Sequence, residues 1–403
     1  MLYQRALVLT ALVIAAFMVA PPTSPLFSSG RTPAAGAPDR APGRRPSASP
    51  RPRVLAARAT PKPTPTLRRE RPAPTKAKGI TMTGYSAGGE NFNKLLGLLD
   101  RTELNAVVID IKNESGEVSW IPTSPRAVAI GGGRRKMKDP RATLRTLKEH
   151  GVYVIGRIVT FNDTVLAKAR PDLAVQDLRG GVWKDRKDLS WGDPYSREVV
   201  EYNLELAREA VTLGFDEIQF DYVRFPTDGA VDNMWYRHRD VREPPQVIRD
   251  VLRRAKSELA PMGAYVSADL FGFVTLVEDP GIGQTLSVIA AEVDYVSLMI
   301  YPSHYSRGNY GLRDPESSPY ETIKNALEKG KEQMAGTQAR QRPWLQDFSL
   351  RVKYSPRHVQ DQIRAAEEAG VDQWLLWNAD NEYTEAALKP APKASRPAST
   401  PGR

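Results

Sequence analysis

The sequence predicts an α/β fold, a closed (β/α)8 TIM barrel with disordered N- and C-terminal tails. Three observations carry this. Eight short runs rich in β-branched and aromatic residues recur between 79 and 388, and helix-period stretches fill the intervals. Neither GxGxxG nor GxxxxGK[ST] follows the first run, which argues against a doubly wound open sheet. Eight strands close this barrel, and about 250 residues suffice to build it.

The strands are read as ITMTGY (80–85), NAVVIDIK (105–112), YVIGRIVTF (153–161), EIQFDYV (217–223), YVSADLF (265–271), YVSLMIY (295–301), PWLQDFSL (343–350) and QWLLWNA (373–379). Between them PRATLRTLKEHG, SREVVEYNLELAREAVTLG, PQVIRDVLRRAKSELA, PYETIKNALEKGKEQM and PRHVQDQIRAAEEAG read as helices, several closed by a glycine at the C-cap.

The ends read differently. Residues 1–20 place Arg5 before an apolar run from Ala6 to Ala20, the layout of an export signal. That run is short against the roughly 17–25 residues of a spanning helix, so a cleaved signal and an uncleaved membrane anchor both remain open. Either implies an extracytoplasmic location, secreted or anchored to the cytoplasmic membrane. Residues 21–78 are rich in Pro, Ala, Arg, Ser and Thr and cannot bury enough apolar surface to offset their ordering entropy; they are expected to form a disordered tether, as are residues 389–403.

Charge divides along the same boundaries. Residues 1–78 carry 14 Lys/Arg against Asp39 and Glu70, and the last fifteen residues add four cations. Taking +12 and +4 from the total of +10 leaves residues 79–388 at −6. The basicity therefore belongs to the tails and gives no reason to expect a nucleic-acid-binding domain. With no cysteine and four dispersed histidines, disulfides, thiolate chemistry and a His-based metal site all fall away; no metal and no cofactor are expected.

Side-chain alternation then sorts each strand into an outward and an inward set. In the second strand Val107, Ile109 and Ile111 form the apolar, helix-facing set, leaving Val108, Asp110 and Lys112 inward. The fourth sends Glu217, Gln219 and Asp221 inward, and the fifth Ser267 and Asp269. Arg157, Tyr301, Asp347 and Asn378 fall near the C-terminal ends of the third, sixth, seventh and eighth strands. Active sites of such barrels lie on that face, so Asp110, Asp221, Asp269 and Asp347 are expected at one mouth with Arg157, Arg224, Tyr301 and His304. Carboxylates crowded there cannot all ionise freely, and this separates a proton donor from an anionic nucleophile or base. Plainer readings stand beside this: Asp110 with Lys112 as an internal ion pair, and Asp347 as a support for Arg157 or a hydroxyl. Trp344, Trp374 and Trp377 suit the core, whereas Trp191 and Trp235, in loops, suit sugar stacking.

The stretches NAVVIDIKNESG, FDEIQFDYVRFPTDG, YVSADLFGFVT, DYVSLMIYPSHYSRGNYG, RPWLQDFSL and GVDQWLLWNADNEYT resemble a bacterial glycoside hydrolase family long classed as a domain of unknown function, across nearly all of 79–388. The resemblance implies a barrel that hydrolyses glycosidic bonds. In the α-acting barrel glycosidases to which that family is similar, an aspartate ending the fourth strand is the nucleophile, and Asp221 matches it. The acid/base stands on the fifth or sixth strand; the sixth ends here in Tyr301, so Asp269 takes the place by position. Relatives carry glutamate there, and the shorter aspartate leaves retention or inversion open. The resulting expectation is cleavage of a cell-envelope or extracellular polysaccharide by Asp221 and Asp269, with Asp110, Lys112, Arg157, Trp191, Arg224, Tyr301, His304, Asp347 and Asn378 binding the sugar. A non-catalytic glycan-binding barrel is the alternative, and a carboxylate-bound metal enzyme a third. Sequence leaves the oligomeric state undetermined.

Overall fold

The computed structural model describes residue 71 and residues 75–392; the expected signal or anchor and most of both expected tails lie outside these. Eight parallel strands form the barrel: β1 (Lys78–Met82), β2 (Ala106–Lys112), β3 (Tyr153–Val159), β4 (Glu217–Asp221), β5 (Tyr265–Phe271), β6 (Tyr295–Met299), β7 (Trp344–Gln346) and β8 (Trp374–Trp377). Each pairs with the next, and β8 returns to β1 through Lys78↔Trp374 and Ile80↔Leu376, so the sheet has no free edge. A two-residue segment, Arg340–Gln341, begins the seventh position against Tyr295 and Val296; Pro343, which lacks an amide proton, separates it from β7.

The outer layer consists of α1 (Asn91–Arg101), α2 (Pro140–Glu149), α3 (Arg197–Leu213), α4 (Pro244–Leu259), α5 (Leu286–Ala290), α6 (Pro319–Gln333) and α7 (Pro356–Glu368). Four of the seven starts follow one rule. A polar residue precedes a proline at the first helical position in Asp139-Pro140, Glu243-Pro244, Ser318-Pro319 and Ser355-Pro356, where proline's missing donor costs nothing and its φ is already helical. Asp139 accepts the amide of Ala142, and Glu243 and Ser355 form reciprocal capping boxes. The helices read from sequence are all present. The structure adds α1 and α5, while β8 is followed only by a short helical turn, Glu385–Ala387.

Alternation sorts the strands as expected. Val107, Ile109, Ile111, Ile218, Phe220, Val266, Ala268 and Leu270 pack in the layer shared with the helices. Val108, Tyr153, Ile155, Tyr265, Tyr295, Tyr301, Trp344 and Leu375 fill the interior. At the N-terminal end of the barrel a buried ion pair plugs the interior: Arg342 bonds both oxygens of Glu217, which also accepts from Tyr153 Oη (3.0 Å) and Ser267 Oγ (2.5 Å). The Arg342 guanidinium lies 4.4 Å from the Tyr295 ring centroid. Ordered contacts also reach beyond residues 79–388. Arg71 bonds Asp294 (2.5 Å) over the Tyr265 ring, Lys78 opens β1, and Lys389 and Ala391 hydrogen-bond Glu103 and Arg101.

Lys112 does not face inward. The β2–β3 register slips between Asp110↔Arg157 and Lys112↔Ile158, a bulge that turns the side chain towards the helices. There it is fully buried, bonded to Asp163 (2.6 Å) and the Thr160 carbonyl (3.3 Å), 4.7 Å from the Tyr202 ring. Asp163 also caps the short helix Thr164–Ala169 through the amide of Leu166. The pair thus ties β2 to the loop after β3 and is absent from the barrel mouth; the ion pair of Asp110 with Lys112 does not form.

Candidate active site

Arg157, at the C-terminal half of β3, organises the mouth. Its Nη1 donates to Asp110 (2.8 Å), its Nη2 to Glu114 (2.6 Å), and Nε and Nη2 both reach Asp221 Oδ2 (2.9 and 2.6 Å). Three carboxylates from β2, the loop after it and β4 thus share one guanidinium. Burial raises the Asp110 carboxyl above its usual range, only partly opposed by Arg157, and Glu114 adds to the rise. At Glu114, whose side chain is 41% exposed, burial is outweighed by the charge and hydrogen bond of Arg157, so its carboxyl is held low. Glu114 had not been singled out from sequence; its place in the NESG segment just beyond a barrel strand's C-terminal end was the available signal.

The residue after Asp221 is strained. Tyr222 adopts φ 47°, a left-handed conformation that aims its amide at Asp221 Oδ1 (2.6 Å). Such a conformation costs about 1–3 kcal/mol and persists where neighbours enforce it. Here the neighbours are Trp191, 5.7 Å from the Tyr222 ring, and Arg224, 5.1 Å from it.

Asp269 lies deeper, on β5. Its Oδ1 accepts the indole proton of Trp344 (2.8 Å), and its buried Oδ2 has no hydrogen-bond partner among the described residues. Burial, together with the charge of Asp221, pushes this carboxyl well above the usual carboxylate range. Trp344 was expected as core packing. It is interior, and β7 also makes it a donor to Asp269, which Arg157 does not bond.

Opposite the acids, Tyr301, Phe348 and Trp377 form an aromatic wall: Tyr301 stands 5.7 Å from Phe348 and 5.8 Å from Trp377, and Phe348 5.2 Å from Trp377. Trp377 shares inward parity with Leu375, so it, rather than Asn378, faces the interior. Asn378 instead holds the rim, donating to the Asp347 carbonyl (2.6 Å) and accepting the amide of Asp380 (2.9 Å). Asp347 takes the hydroxyl-supporting position: it accepts the Thr384 hydroxyl (2.6 Å) and amide (2.8 Å), contacts that only partly offset the upward push of burial. His304, 5.0 Å from Tyr301, is held neutral, as burial and the Arg351 charge push it down to about 4.

Trp191 offers no open ring face. It is 1% exposed, its indole N–H is donated to Asp185 (3.1 Å), and Arg224 lies 4.8 Å from its ring. Trp235, 38% exposed on the small antiparallel bridge between Gln176–Asp177 and Met234–Trp235, keeps an accessible ring. Among the described residues no group of three or more His, Cys, Asp or Glu side chains is arranged to hold a metal ion.

If Trp377 stacks on a sugar ring, Trp377→Ala will raise KM by about an order of magnitude or less and leave kcat nearly unchanged, since one aromatic contact contributes roughly 0.5–1.5 kcal/mol beyond its area burial. Initial-rate kinetics read this split; an unchanged KM removes Trp377 from the binding surface.

A closed eight-stranded barrel with carboxylates gathered at the strand C-termini defines the class, a TIM barrel with an acidic mouth. The chain belongs to the family described as "Putative glycosyl hydrolase domain", which matches residues 79–383. It is 37% identical to a hypothetical protein from Ruminiclostridium thermocellum, over 47% of this chain and 96% of that one, with a TM-score of 0.44. The glycoside hydrolase domain of PgaB (BpsB) from Bordetella bronchiseptica is similar in fold, with a TM-score of 0.57 at 14% identity, over 76% of this chain and 95% of that one. The α-galactosidase TtGalA from Thermus thermophilus matches at 15% identity over 78% of this chain and 60% of that one, with a TM-score of 0.47. Comparison with curated proteins finds no match.

Proposed function

We propose that this domain hydrolyses a cell-envelope or extracellular polysaccharide, with Asp269 as general acid and Asp221 as nucleophile or base. The observation that carries the reading is the contrast between the two aspartates. Asp221 is hydrogen-bonded to a guanidinium and a backbone amide, whereas Asp269 is buried with one oxygen unpartnered and its carboxyl pushed well above the usual range. A glycosidase needs this asymmetry: one carboxyl must arrive protonated to deliver a proton to the leaving oxygen, and the other must be anionic. Arg157, Asp110 and Glu114 position Asp221, and Tyr301, Phe348 and Trp377 offer the ring faces a pyranose packs against. Action outside the cytoplasm is supported by Arg5 and the apolar run that follows it.

The test is reducing-end release from bacterial envelope and capsular glycans by the full chain beside Asp269→Asn. The variant is expected to lose roughly 10²–10⁴ in kcat while staying folded. Because Asp269 donates only when protonated, wild-type kcat/KM falls as pH rises through its elevated pKa, and this alkaline limb disappears from whatever activity Asp269→Asn retains. A folded Asp269→Asn of undiminished activity sinks the assignment. Retention of a glycan by a wild type that cuts none identifies a glycan-binding barrel instead.

A further inference from the structure

Arg224 is unusual among the cations of the mouth. It is 4% exposed and forms no ion pair among the described residues. Its Nη1 donates to the Phe225 carbonyl (2.9 Å) and, at 3.5 Å, to the Thr227 hydroxyl. Three rings surround the guanidinium: Phe271 at 4.6 Å, Trp191 at 4.8 Å and Tyr222 at 5.1 Å. Cation–π contacts offset only part of the cost of burying an ion. The neighbouring carboxylates act on Arg224 only at longer range. Asp185 accepts the Trp191 indole and the amides of Lys187 and Leu189, and Asp228, a neighbour of Arg224, Arg186 and Lys187, forms no ion pair among the described residues.

A second observation extends the feature. Asp185 ties the Trp191 ring under Arg224 to the hairpin tip carrying Arg186 and Lys187, both exposed and neither in an ion pair among the described residues. Trp183, in the same hairpin, donates to the Ala230 carbonyl, so the tip is fastened to the loop that follows Arg224. Asp110, Glu114 and Asp221 thus crowd Arg157, whereas Arg224, Arg186 and Lys187 make no ion pair among the described residues and share Asp228 as a neighbour at longer range.

We propose that Arg224, with Arg186 and Lys187, forms a subsite for an anionic substituent of the glycan, a carboxylate or a sulfate or phosphate ester. This rests on the glycosidase reading for taking a glycan as ligand. The planar guanidinium, held between ring faces, presents its edge to a planar or tetrahedral oxyanion, and the hairpin cations draw in further charges of a polyanion. The substrate is therefore an acidic polysaccharide.

The test measures binding of the full chain, as wild type, Arg224→Met and the exposed double variant Arg186→Gln/Lys187→Gln, to alginate, carboxyl-reduced alginate, dextran sulfate and dextran. The basic N-terminal segment contributes equally to all three proteins, so the wild-type-to-variant ratio is the readout. Arg224→Met is expected to weaken binding of one acidic polymer at least about tenfold; the double variant is expected to weaken it severalfold and to bind the neutral polymers as wild type does. Loss on alginate assigns a carboxylate, loss on dextran sulfate a sulfate-like ester. Equal affinity of wild type and the double variant for both acidic polymers overturns the subsite, and does so even if Arg224→Met fails to fold. Reducing-end release separates the two ideas. Neutral-glycan cleavage shared by wild type and the double variant, with no binding ratio, removes the subsite and keeps the glycosidase; the binding ratio without cleavage of any glycan does the reverse.

Discussion

Asp221→Asn is expected to lower glycan cleavage by roughly 10³-fold or more, about 4 kcal/mol of activation free energy, with the fold intact. The fold survives because Arg157 keeps Asp110 and Glu114 as partners, so no buried guanidinium is left without a carboxylate. A second effect follows from the charge removed. Asp221 helps hold the Asp269 carboxyl up. Without that charge, ionised Asp269 is destabilised less, its pKa falls, and the alkaline limb of residual kcat/KM moves to lower pH. Kinetics across pH on a variant shown folded by circular dichroism read both. A folded Asp221→Asn with wild-type turnover removes Asp221 from the chemistry, and loss of turnover with an unmoved limb breaks the coupling to Asp269.

Arg342→Met is expected to destabilise the domain by roughly 3–5 kcal/mol, the largest stability effect at any position considered. Glu217 would remain at the bottom of the barrel with only the hydroxyls of Tyr153 and Ser267 as donors, and neither it nor Arg342 has access to water. Replacing both ions, as in Glu217→Leu/Arg342→Met, should recover much of the loss, because the penalty comes from an orphaned charge rather than from the absence of an ion pair. Urea unfolding of the single and double variants gives the comparison. A single variant as stable as wild type would show that water or a rearranged partner reaches Glu217.

Much of the site was legible because strand periodicity is local. Once Val107, Ile109 and Ile111 are recognised as the helix-facing set, Asp110 must face the other way, and the same reasoning places Glu217, Gln219, Asp221 and Asp269. That reasoning stops at the first irregularity. The bulge after Asp110 sends Lys112 outward to Asp163, and no pattern in NAVVIDIK marks it. At the end of β8 the parity that makes Leu375 interior carries to Trp377, so Asn378 was one position off. Loops obey no period. Trp191 had the composition of a platform and became the floor beneath Arg224, while Glu114 passed unnoticed although it bonds the central arginine.

The sequence alone determined the eight-strand barrel, the inward carboxylates of β2, β4 and β5, and the division into an acidic domain and basic ends, because alternation, capping and composition are written in neighbouring residues. Tertiary structure decided which carboxylates share Arg157, which one accepts from Trp344 instead, and that Arg224 sits among three rings with no ion pair among the described residues. Those are relations between side chains tens of residues apart, and they exist only after barrel closure has brought the strand ends within hydrogen-bonding distance and excluded the water that would otherwise screen them.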